Sequence, residues 1–422
     1  MSDPTRSSPR HPTSERKPSF GRSSRGSLPL TISASPVDRV EEFFDEAEFE
    51  SRRQRVRAVL RERDLDAILV SSPENVYYLA GLNHYGYFAV TILILPLDGP
   101  PLLFARAMEA PTIAEQCRDI RHLPFGDAED PGEVLAVALR SSGLAGARLG
   151  IELDHMFLPP RVAQTVQRAL PTAWTDASGI VEELRMVKSA AELAYTREAA
   201  RISDRAAGAA IAAAGSGVNE RHIAAEVYRT MIDAGGDLTG FPALIRSDRT
   251  LRFEHIVWRD HELDKGERLF VELAGCVRRY HAPQGRLLFI GPASDRDRRA
   301  ADVTIEAIEA AQGALHPGAI SGDVYAAWQA VVDRAAGSPQ PKRHHVGYGT
   351  GLGFPPSWVG ASMVPGIRPD GRMVIREGMV FHLMSWLVGS ALGDYLVSDT
   401  AVITATGVEI LTTTPRVVQE LA

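Results

Sequence analysis

The first half of the chain alternates stretches of helical periodicity with short apolar runs. Residues 49–64 place Val56 and Leu60 on one side of a predicted helix, and the run from Ala67 to Val70 has the length and composition of a buried strand. Further predicted elements are strands at 90–96, 101–104 and 149–152, a helix at 135–144 and a turn that opens at 71–75. This alternation predicts an α/β domain over residues 37–184.

After residue 185 the pattern changes to long helices followed by strands. An Ala-rich stretch predicts a helix over 189–215, and Asn219 is placed to cap a second helix over 217–234. The remaining predicted elements are helices at 302–314 and 321–336, and strands at 379–383, 395–397, 401–404 and 407–411. This order predicts an α+β domain over residues 185–422, in which helices pack on a curved antiparallel sheet.

A dense polar cluster lies between two apolar runs of this second domain. Its members are Glu272, Arg278, Arg279, Tyr280 and His281. The flanking runs predict two antiparallel strands joined by a short bend, and Pro283 and Gly285 predict a further bend or bulge in the return strand. Buried polar groups cost free energy unless they are partnered. The cluster is therefore either a satisfied internal network or a functional site.

Charge and cysteine content limit the classes of function. The 422 residues carry a formal net charge of −7, which argues against a nucleic-acid partner. Cys117 and Cys276 lie far apart, which argues against a disulfide scaffold and predicts a reducing, cytoplasmic location. No apolar run reaches the roughly 18 residues that a membrane span requires, so no membrane contact is expected. Residues 1–36, rich in Ser, Arg and Pro, are predicted to be a disordered tail.

Five segments, taken in order, resemble the creatinase/aminopeptidase P family, whose catalytic domain has the pita-bread fold. They are residues 68–81, 185–193, 265–272, 347–352 and 377–381. The resemblance extends from about residue 45 to the end of the chain. It implies a creatinase-like α/β N-terminal domain followed by a pita-bread catalytic domain. It also implies a homodimer, in which the N-terminal domain of one chain completes the site of its partner.

Most members of this family hold two metal ions with two Asp, one His and two Glu. The matching positions in this chain are Glu272, Pro283, Tyr348, Met384 and Ser398. Proline and methionine do not bind hard cations, and one carboxylate does not hold two ions. The resemblance therefore implies that no metal cofactor is bound. A one-residue shift to Asp399 would not rebuild the ligand set.

Within the family, the chain is most similar to the metal-independent ectoine hydrolases, on residues 272–283, 351–358 and 378–384. His255 lies eleven residues before Gly266, the spacing at which creatinases carry their catalytic histidine. The resemblance implies hydrolysis of a C–N bond in a small zwitterionic cyclic amidine or guanidino compound. Three alternatives stay open: a creatinase-like amidinohydrolase, a non-catalytic binding protein and a divergent Xaa-Pro metallopeptidase.

Such a reaction needs an activated water molecule and a site that holds a cation. A histidine side chain with its ordinary pKa of about 6.5 accepts a proton from water near neutral pH, and the resemblance gives this role to His255. Glu272 is expected either to hold the cationic N–C–N group by paired hydrogen bonds or to attack its carbon. Tyr280 and His281 are expected to orient the substrate or to move a proton, although a single buried histidine is more often structural.

Both domains are expected to contact the substrate. The candidates for binding it are Tyr85, Tyr87, Phe88, Arg106, Arg279, Trp358 and Met384. The aromatic side chains would form a wall for a planar cation in the partner's site, and an arginine would bind the substrate carboxylate. Tyr87 and Phe88 are more often core residues in such patterns, and loop packing and a pocket wall are equally good interpretations of Trp358.

Two departures from the ectoine hydrolases fall where substrate contacts are expected. Residues 359–361 are uncharged where those enzymes tend to carry an acid, and Val90 and Thr91 stand where they carry His and Gln. The resemblance therefore supports the reaction class better than ectoine itself. His382, in an apolar strand, is expected to be a hydrogen-bonded core histidine.

Overall fold

The structure, a computed structural model, describes residues 43–171, 173–360 and 365–422, which belong to one compact unit. The predicted disordered tail, residues 1–36, lies outside the described residues. In the described ranges, no helix is both long enough and apolar enough to cross a membrane.

The N-terminal part is built on a six-stranded mixed sheet. Its strands are β1 (Ala67–Val70), β2 (Ile92–Pro96), β3 (Leu102–Arg106), β4 (Arg121–Phe125), β5 (Arg148–Ile151) and β6 (Ala173–Asp176). The order across the sheet is β4-β3-β2-β1-β5-β6. The β1–β2 and β2–β3 pairs are antiparallel, and the other three pairs are parallel.

Helices cover both faces of this sheet. Alternate residues of each strand point to opposite faces, so both faces present apolar side chains for helices to pack on. They are α1 (Glu46–Glu62), α2 (Pro73–Ala80), α3 (Ala110–Gln116), α4 (Pro131–Ser141), α5 (Pro160–Ala169) and α6 (Ile180–Met186). Ile68 and Val70 of β1 pack in one core with α1, α2 and α6, whereas Leu69 packs in another with α4 and α5. Helices α3, α5 and α6 and strands β4 and β6 add to the elements that the pattern predicted.

The turn predicted at residues 71–75 is wrong, because most of this segment belongs to a helix. The Ser72 hydroxyl accepts from the backbone N–H of Asn75 at 3.2 Å, and Pro73 occupies the first helical position. Serine caps and first-turn prolines start helices as readily as proline opens turns. Gly81 ends the helix in the left-handed conformation, with φ of 79°.

The C-terminal part is built on an eight-stranded sheet with two helix pairs. Its strands are β7 (Leu244–Ser247), β8 (Arg268–Val277), β9 (Tyr280–Ile290), β10 (Gly347–Gly349), β11 (Val380–Trp386), β12 (Leu396–Thr404), β13 (Gly407–Ile410) and β14 (Gln419–Leu421). The main order is β10-β11-β12-β9-β8-β7, with β13 beside β12 and β14 beside β9. The two strands predicted at 395–397 and 401–404 are the single strand β12.

Each helix pair packs on a different part of this sheet. The pairs are α7 (Ala190–Ala213) with α8 (Glu220–Asp233), and α9 (Asp295–Gly313) with α10 (Ser321–Ala336). Leu269, Val271 and Leu273 of β8 pack in one core with α7 and α8. Phe270 points to the other face, into the core that contains α9 and α10. Glu272 follows the same alternation and lies on the Phe270 side of the strand.

Strands β8 and β9 form an uninterrupted hairpin, so the predicted bulge at Pro283 and Gly285 is wrong. Their register runs without a break from Arg268 opposite Phe289 to Val277 opposite Tyr280. The two-residue turn uses Arg278 and Arg279 at φ of 50° and 67°, a geometry that matches the strand twist. Gly285 is needed for packing, because a Cβ there would lie 2.8 Å from Ser398 Oγ.

Candidate active site

A cavity of about 330 Å³ lies on the Glu272 side of the C-terminal sheet. This volume suits a small organic ligand. Strands β7, β8 and β11 and the loops after β7 and β10 supply its walls. Of the predicted site residues, His255, Glu272, Trp358 and Met384 line this cavity together.

Glu272 is a buried carboxylate that faces this cavity. Its side chain is nearly inaccessible, and His382 Nε2 lies 3.8 Å from Glu272 Oε1, beyond hydrogen-bond distance. Burial raises the pKa of Glu272 to about 7, an effect that Arg246 opposes and Glu254 reinforces. A carboxylate in this state is stabilised by a ligand that brings a positive charge.

His255 lies at the exposed edge of the cavity, on the loop between β7 and β8. Its backbone is in the left-handed region, with φ of 54°, and its ring packs edge-on against Phe241 at 5.7 Å between centroids. Non-glycine residues rarely adopt this conformation, and those that do cluster at functional sites. The imidazole therefore shares the cavity with Glu272, as the resemblance implied.

Arg246, which sequence reasoning missed, places a guanidinium in the same cavity. It is 2% exposed and lies 4.9 Å from the Phe270 ring centroid. Its Nη1 donates to the Phe253 carbonyl and lies 3.6 Å from Glu254 Oε2, whereas its buried Nε has no hydrogen-bond partner among the described residues. The signal was an arginine inside the apolar run Ala243–Ser247, where a charge is costly without a partner.

The rear wall of the cavity is a chain of hydrogen bonds. Trp358 Nε1 donates to the Tyr348 hydroxyl at 3.1 Å, which lies 2.8 Å from His382 Nδ1, and His382 Nε2 lies 2.8 Å from Ser398 Oγ. Burial lowers the pKa of His382 to about 3, so the ring is neutral at pH 7. Because indole only donates, the Tyr348 oxygen accepts from Trp358. We assign the Tyr348 hydroxyl as donor to His382 Nδ1, so that the neutral imidazole carries its own proton on Nε2.

His382 thus has the internally bonded environment expected for it, and Trp358 both packs and lines the cavity. Sequence reasoning treated Tyr348 only as a lost metal position. The structure shows that its oxygen is the junction between Trp358 and His382.

Tyr280 and His281, predicted as catalytic residues, do not line the cavity. The Tyr280 hydroxyl donates to Glu192 Oε1 at 2.7 Å, and its ring stacks on Tyr195. His281 Nε2 accepts from the Gly240 N–H at 2.8 Å, and burial lowers the pKa of this ring to about 4. Both side chains are fully buried and bind neighbouring segments, so within this chain neither is placed to touch a ligand in the cavity.

Arg279 and the aromatic residues of the N-terminal segment also lie outside the chain's own cavity. Arg279 donates to Asn83 Oδ1 at 2.7 Å and to the Tyr85 hydroxyl at 3.0 Å, and it stacks on Phe354. Tyr87 donates to the Pro355 carbonyl at 2.9 Å. These bonds join the N-terminal domain to the β8–β9 turn and to the loop that carries Trp358.

Phe88 and Arg106 lie on the surface of the N-terminal domain. The Phe88 side chain is 80% exposed, with the Arg106 guanidinium 5.9 Å from its ring centroid. Arg106 Nε donates to Asp127 at 2.8 Å. Neither residue reaches the cavity of the same chain, so a role in substrate binding requires a second chain.

Comparisons with known proteins agree with this architecture. A model described as metallopeptidase family M24 matches residues 194–405, and one described as the creatinase/prolidase N-terminal domain matches residues 52–187. An uncharacterized hydrolase/peptidase from Sinorhizobium fredii is 29% identical over 389 residues, covering 88% of this chain and 97% of that protein. The ectoine hydrolase from Halomonas elongata is 27% identical over 392 residues, with the same two coverages of 88% and 97%.

Among solved structures, dipeptidase PepE from Mycobacterium ulcerans superimposes with a TM-score of 0.77 at 23% identity, covering 90% of this chain and 99% of that one. A creatinase-type N-terminal domain followed by a pita-bread domain defines the class of protein. The chain belongs to the creatinase/aminopeptidase P family, and its relatives support a hydrolase of this family. The predicted fold class and the family resemblance are both confirmed.

The residues at the family's metal positions do not fit a two-metal centre. Glu272, Tyr348 and Met384 line the cavity, Ser398 binds His382, and the Pro283 carbonyl accepts from Thr400 Oγ1 at 2.7 Å. Asp399 does not supply a second carboxylate, because its oxygens accept from Arg286 at 2.7 Å, Arg416 at 2.6 Å and Thr412 at 2.8 Å. One carboxylate with a thioether and a phenol is a poor donor set for hard cations.

Proposed function

We propose that the protein is a metal-independent hydrolase that cleaves a C–N bond in a small zwitterionic cyclic amidine or guanidino compound, as ectoine hydrolases do. The observation that supports this function is the environment of Glu272. It is a buried carboxylate that faces a cavity of about 330 Å³, with a raised pKa and a neutral His382 ring 3.8 Å away that does not balance its charge.

The cavity offers complementary groups to both ends of such a substrate. An amidinium or guanidinium beside Glu272 would favour its ionised form and donate paired hydrogen bonds to it. Arg246 is the candidate for the substrate carboxylate, with its Nε unpartnered among the described residues. Phe241 and Trp358, whose rings lie 5.0 Å apart between centroids, form an apolar wall for a planar ring.

Water would attack the electrophilic carbon of the N–C–N group. In this scheme His255 accepts a proton as the water oxygen bonds to that carbon, and the proton is then delivered to the nitrogen that leaves as the C–N bond breaks. In a second route, Glu272 attacks the carbon, the C–N bond breaks as its nitrogen takes up a proton, and water then hydrolyses the covalent adduct and regenerates the Glu272 carboxylate. The Tyr348 oxygen, which accepts from Trp358 and donates to His382, keeps one lone pair for a substrate N–H.

We also propose that the protein acts as a homodimer, with Tyr85 and Phe88 of one chain placed at the cavity of the other. Both side chains are exposed, at 48% and 80%. Light scattering should give twice the chain mass. Phe88→Ala should raise KM without a matching fall in kcat, and a monomer that keeps full activity would contradict this assembly.

Three alternatives predict different results. A creatinase-like amidinohydrolase uses the same cavity on an open-chain guanidino acid. A non-catalytic binding protein would bind such compounds without turnover. An Xaa-Pro dipeptidase would cleave dipeptides and would need metal.

A thermal-shift screen followed by turnover tests these possibilities. The probes are ectoine, creatine, a cyclic guanidino acid and an Xaa-Pro dipeptide. A ligand present at 100 times its Kd stabilises the folded state by about 2.7 kcal/mol. We expect a shift with a zwitterionic amidine or guanidino compound, and turnover of it after dialysis against EDTA. Dipeptide cleavage that EDTA abolishes and Mn²⁺ restores would contradict the proposal.

A further inference from the structure

A second buried polar cluster lies in the N-terminal domain, outside the cavity. Glu152 follows β5, His155 lies three residues further in the next loop, and Glu182 belongs to α6. Their side chains are 0%, 2% and 11% exposed. One ligand atom from each residue lies within 4.8 Å of the other two, a grouping of metal-binding side chains that the described residues show nowhere else.

The His155 ring is buried between two carboxylates. Its Nε2 forms an ion-pair contact with Glu182 Oε1 at 3.1 Å and lies 3.6 Å from Glu152 Oε2, but neither contact has the geometry of a hydrogen bond, and Nδ1 has no hydrogen-bond partner among the described residues. Leaving buried polar atoms unpaired is costly.

Free acceptor positions on the carboxylates also point to a cation. Glu182 Oε2 is buried and lacks a hydrogen-bond partner among the described residues. Glu152 Oε1 accepts one bond, from Asn75 Nδ2 at 2.6 Å. A carboxylate oxygen has two lone pairs, so Oε1 keeps one of them for a further partner.

Surrounding groups hold both carboxylates in place. Glu152 Oε2 accepts from the N–H groups of Ser71 at 2.7 Å and Ser72 at 3.0 Å. Asn75 Nδ2 also donates to Glu182 Oε1 at 2.7 Å, and Arg185 donates to the side-chain oxygen Oδ1 of Asn75. Outer hydrogen bonds of this kind orient ligands in metal sites.

We propose that Glu152, His155 and Glu182 form a binding site for a divalent transition-metal ion, with Zn²⁺ as the best fit. One imidazole and two carboxylates favour Zn²⁺ over Mg²⁺ or Ca²⁺, which prefer oxygen ligands, and a water would complete four-coordination. The ion would tie the loop after β5 to α6, the helix that leads into the catalytic domain. Its role is structural, because the cluster lies outside the catalytic cavity.

Zinc titration of chelator-stripped, full-length protein tests the site. Calorimetry and metal analysis should give one Zn²⁺ per chain in the wild type and a rise in Tm on binding. His155→Gln should weaken binding at least tenfold, and Glu182→Gln provides a second test if the first variant is poorly folded. Glu183→Gln, which neutralises the exposed neighbour of Glu182 on α6, is the matched control and should bind as the wild type does.

Glu272→Gln separates this site from the cavity. Zinc binding that survives Glu272→Gln but not His155→Gln supports the N-terminal site. Binding that survives His155→Gln but not Glu272→Gln would overturn it, and would also contradict a metal-free active site. Absence of stoichiometric binding in the wild type would overturn the zinc site alone, because a buried histidine–carboxylate network would then explain the cluster without affecting the proposed reaction.

Discussion

Two buried carboxylates of the C-terminal sheet, Glu272 on β8 and Asp399 on β12, differ in what surrounds them. Asp399 accepts hydrogen bonds from Arg286, Arg416 and Thr412, all at 2.8 Å or less. Glu272 faces the cavity, and the His382 ring 3.8 Å from it is neutral and does not balance its charge. Buried charges need partners. The sheet supplies them for Asp399, whereas Glu272 needs a ligand to complete its environment.

The largest change in the free energy of unfolding should follow from neutralising Asp399, whose hydrogen-bond partners the protein itself supplies. Asp399→Asn leaves two guanidiniums facing an amide, and losing one partner of a buried ion pair costs about 3–5 kcal/mol. Denaturant unfolding at pH 8 measures the loss. Glu272→Gln makes the same chemical change and should cost little or stabilise the protein. Equal losses in both variants would contradict the comparison.

The second prediction concerns the pH dependence of stability. The pKa of Glu272 is raised from 4.5 to about 7, so its contribution is present below pH 4.5 and is lost as the pH rises through 7. Each pKa unit corresponds to about 1.4 kcal/mol, so the wild type should lose about 3 kcal/mol relative to Glu272→Gln between pH 4.5 and 8. Unfolding curves of both proteins at pH 4.5 and 8 measure this difference, and parallel pH profiles would show that Glu272 ionises normally.

Activity should depend on the unsatisfied carboxylate and on His255. Glu272→Gln and His255→Ala should each lower kcat by about a hundredfold, equivalent to about 2.7 kcal/mol of barrier, on whichever compound shifts the Tm. Glu262→Gln and His316→Ala, at exposed positions outside the cavity, are the matched controls and should keep wild-type kcat. Full activity in both site variants would show that the cavity has been assigned to the wrong residues.

The smallest effect should come from the hydrogen-bond chain beside Glu272. Tyr348→Phe removes the hydroxyl between Trp358 Nε1 and His382 Nδ1, so one donor and one acceptor lose their partner at a cost of about 1–3 kcal/mol. Unfolding free energies give the change. Tyr85→Phe also removes a hydroxyl with a partner, Arg279, but at a half-exposed position where water can replace it, so it should alter stability by about 0.5 kcal/mol or less. If the two variants lose the same unfolding free energy, the hydrogen bonds of Tyr348 to Trp358 and His382 contribute nothing to stability.

Sequence reasoning identified His255, Glu272, Trp358 and Met384, which the structure brings to one cavity. It grouped Tyr280 and His281 with Glu272 because they are close in sequence. In the hairpin register Glu272 lies opposite Gly285. Tyr280 is five residues from Gly285 toward the turn, about 17 Å along β9 at 3.4 Å per residue. A bulge at Pro283 and Gly285 would have bent the return strand beside Glu272. The unbroken register instead keeps β9 extended, and this carries the turn away from the cavity.

Arg246 was missed for a different reason. The residues before it in β7, Leu244 and Ile245, are apolar, so periodicity indicates only a buried strand. The strand pairing that sets Leu244 opposite Glu272 brings the guanidinium toward the carboxylate. Such cross-strand proximity depends on register, which a single sequence does not define.

The boundary between residues 184 and 185 and the predicted dimer stay predictions.

The far end of the β8–β9 hairpin limits how this protein can be recombined with its relatives. Tyr280 lies in the same hydrophobic core as Val56 and Leu60 of α1, together with Leu352 and Phe354 of the loop that carries Trp358. A chimera that exchanges only the N-terminal module would cut through this shared core. We expect exchanges to give folded protein only when the hairpin end and this loop travel with the module that packs on them.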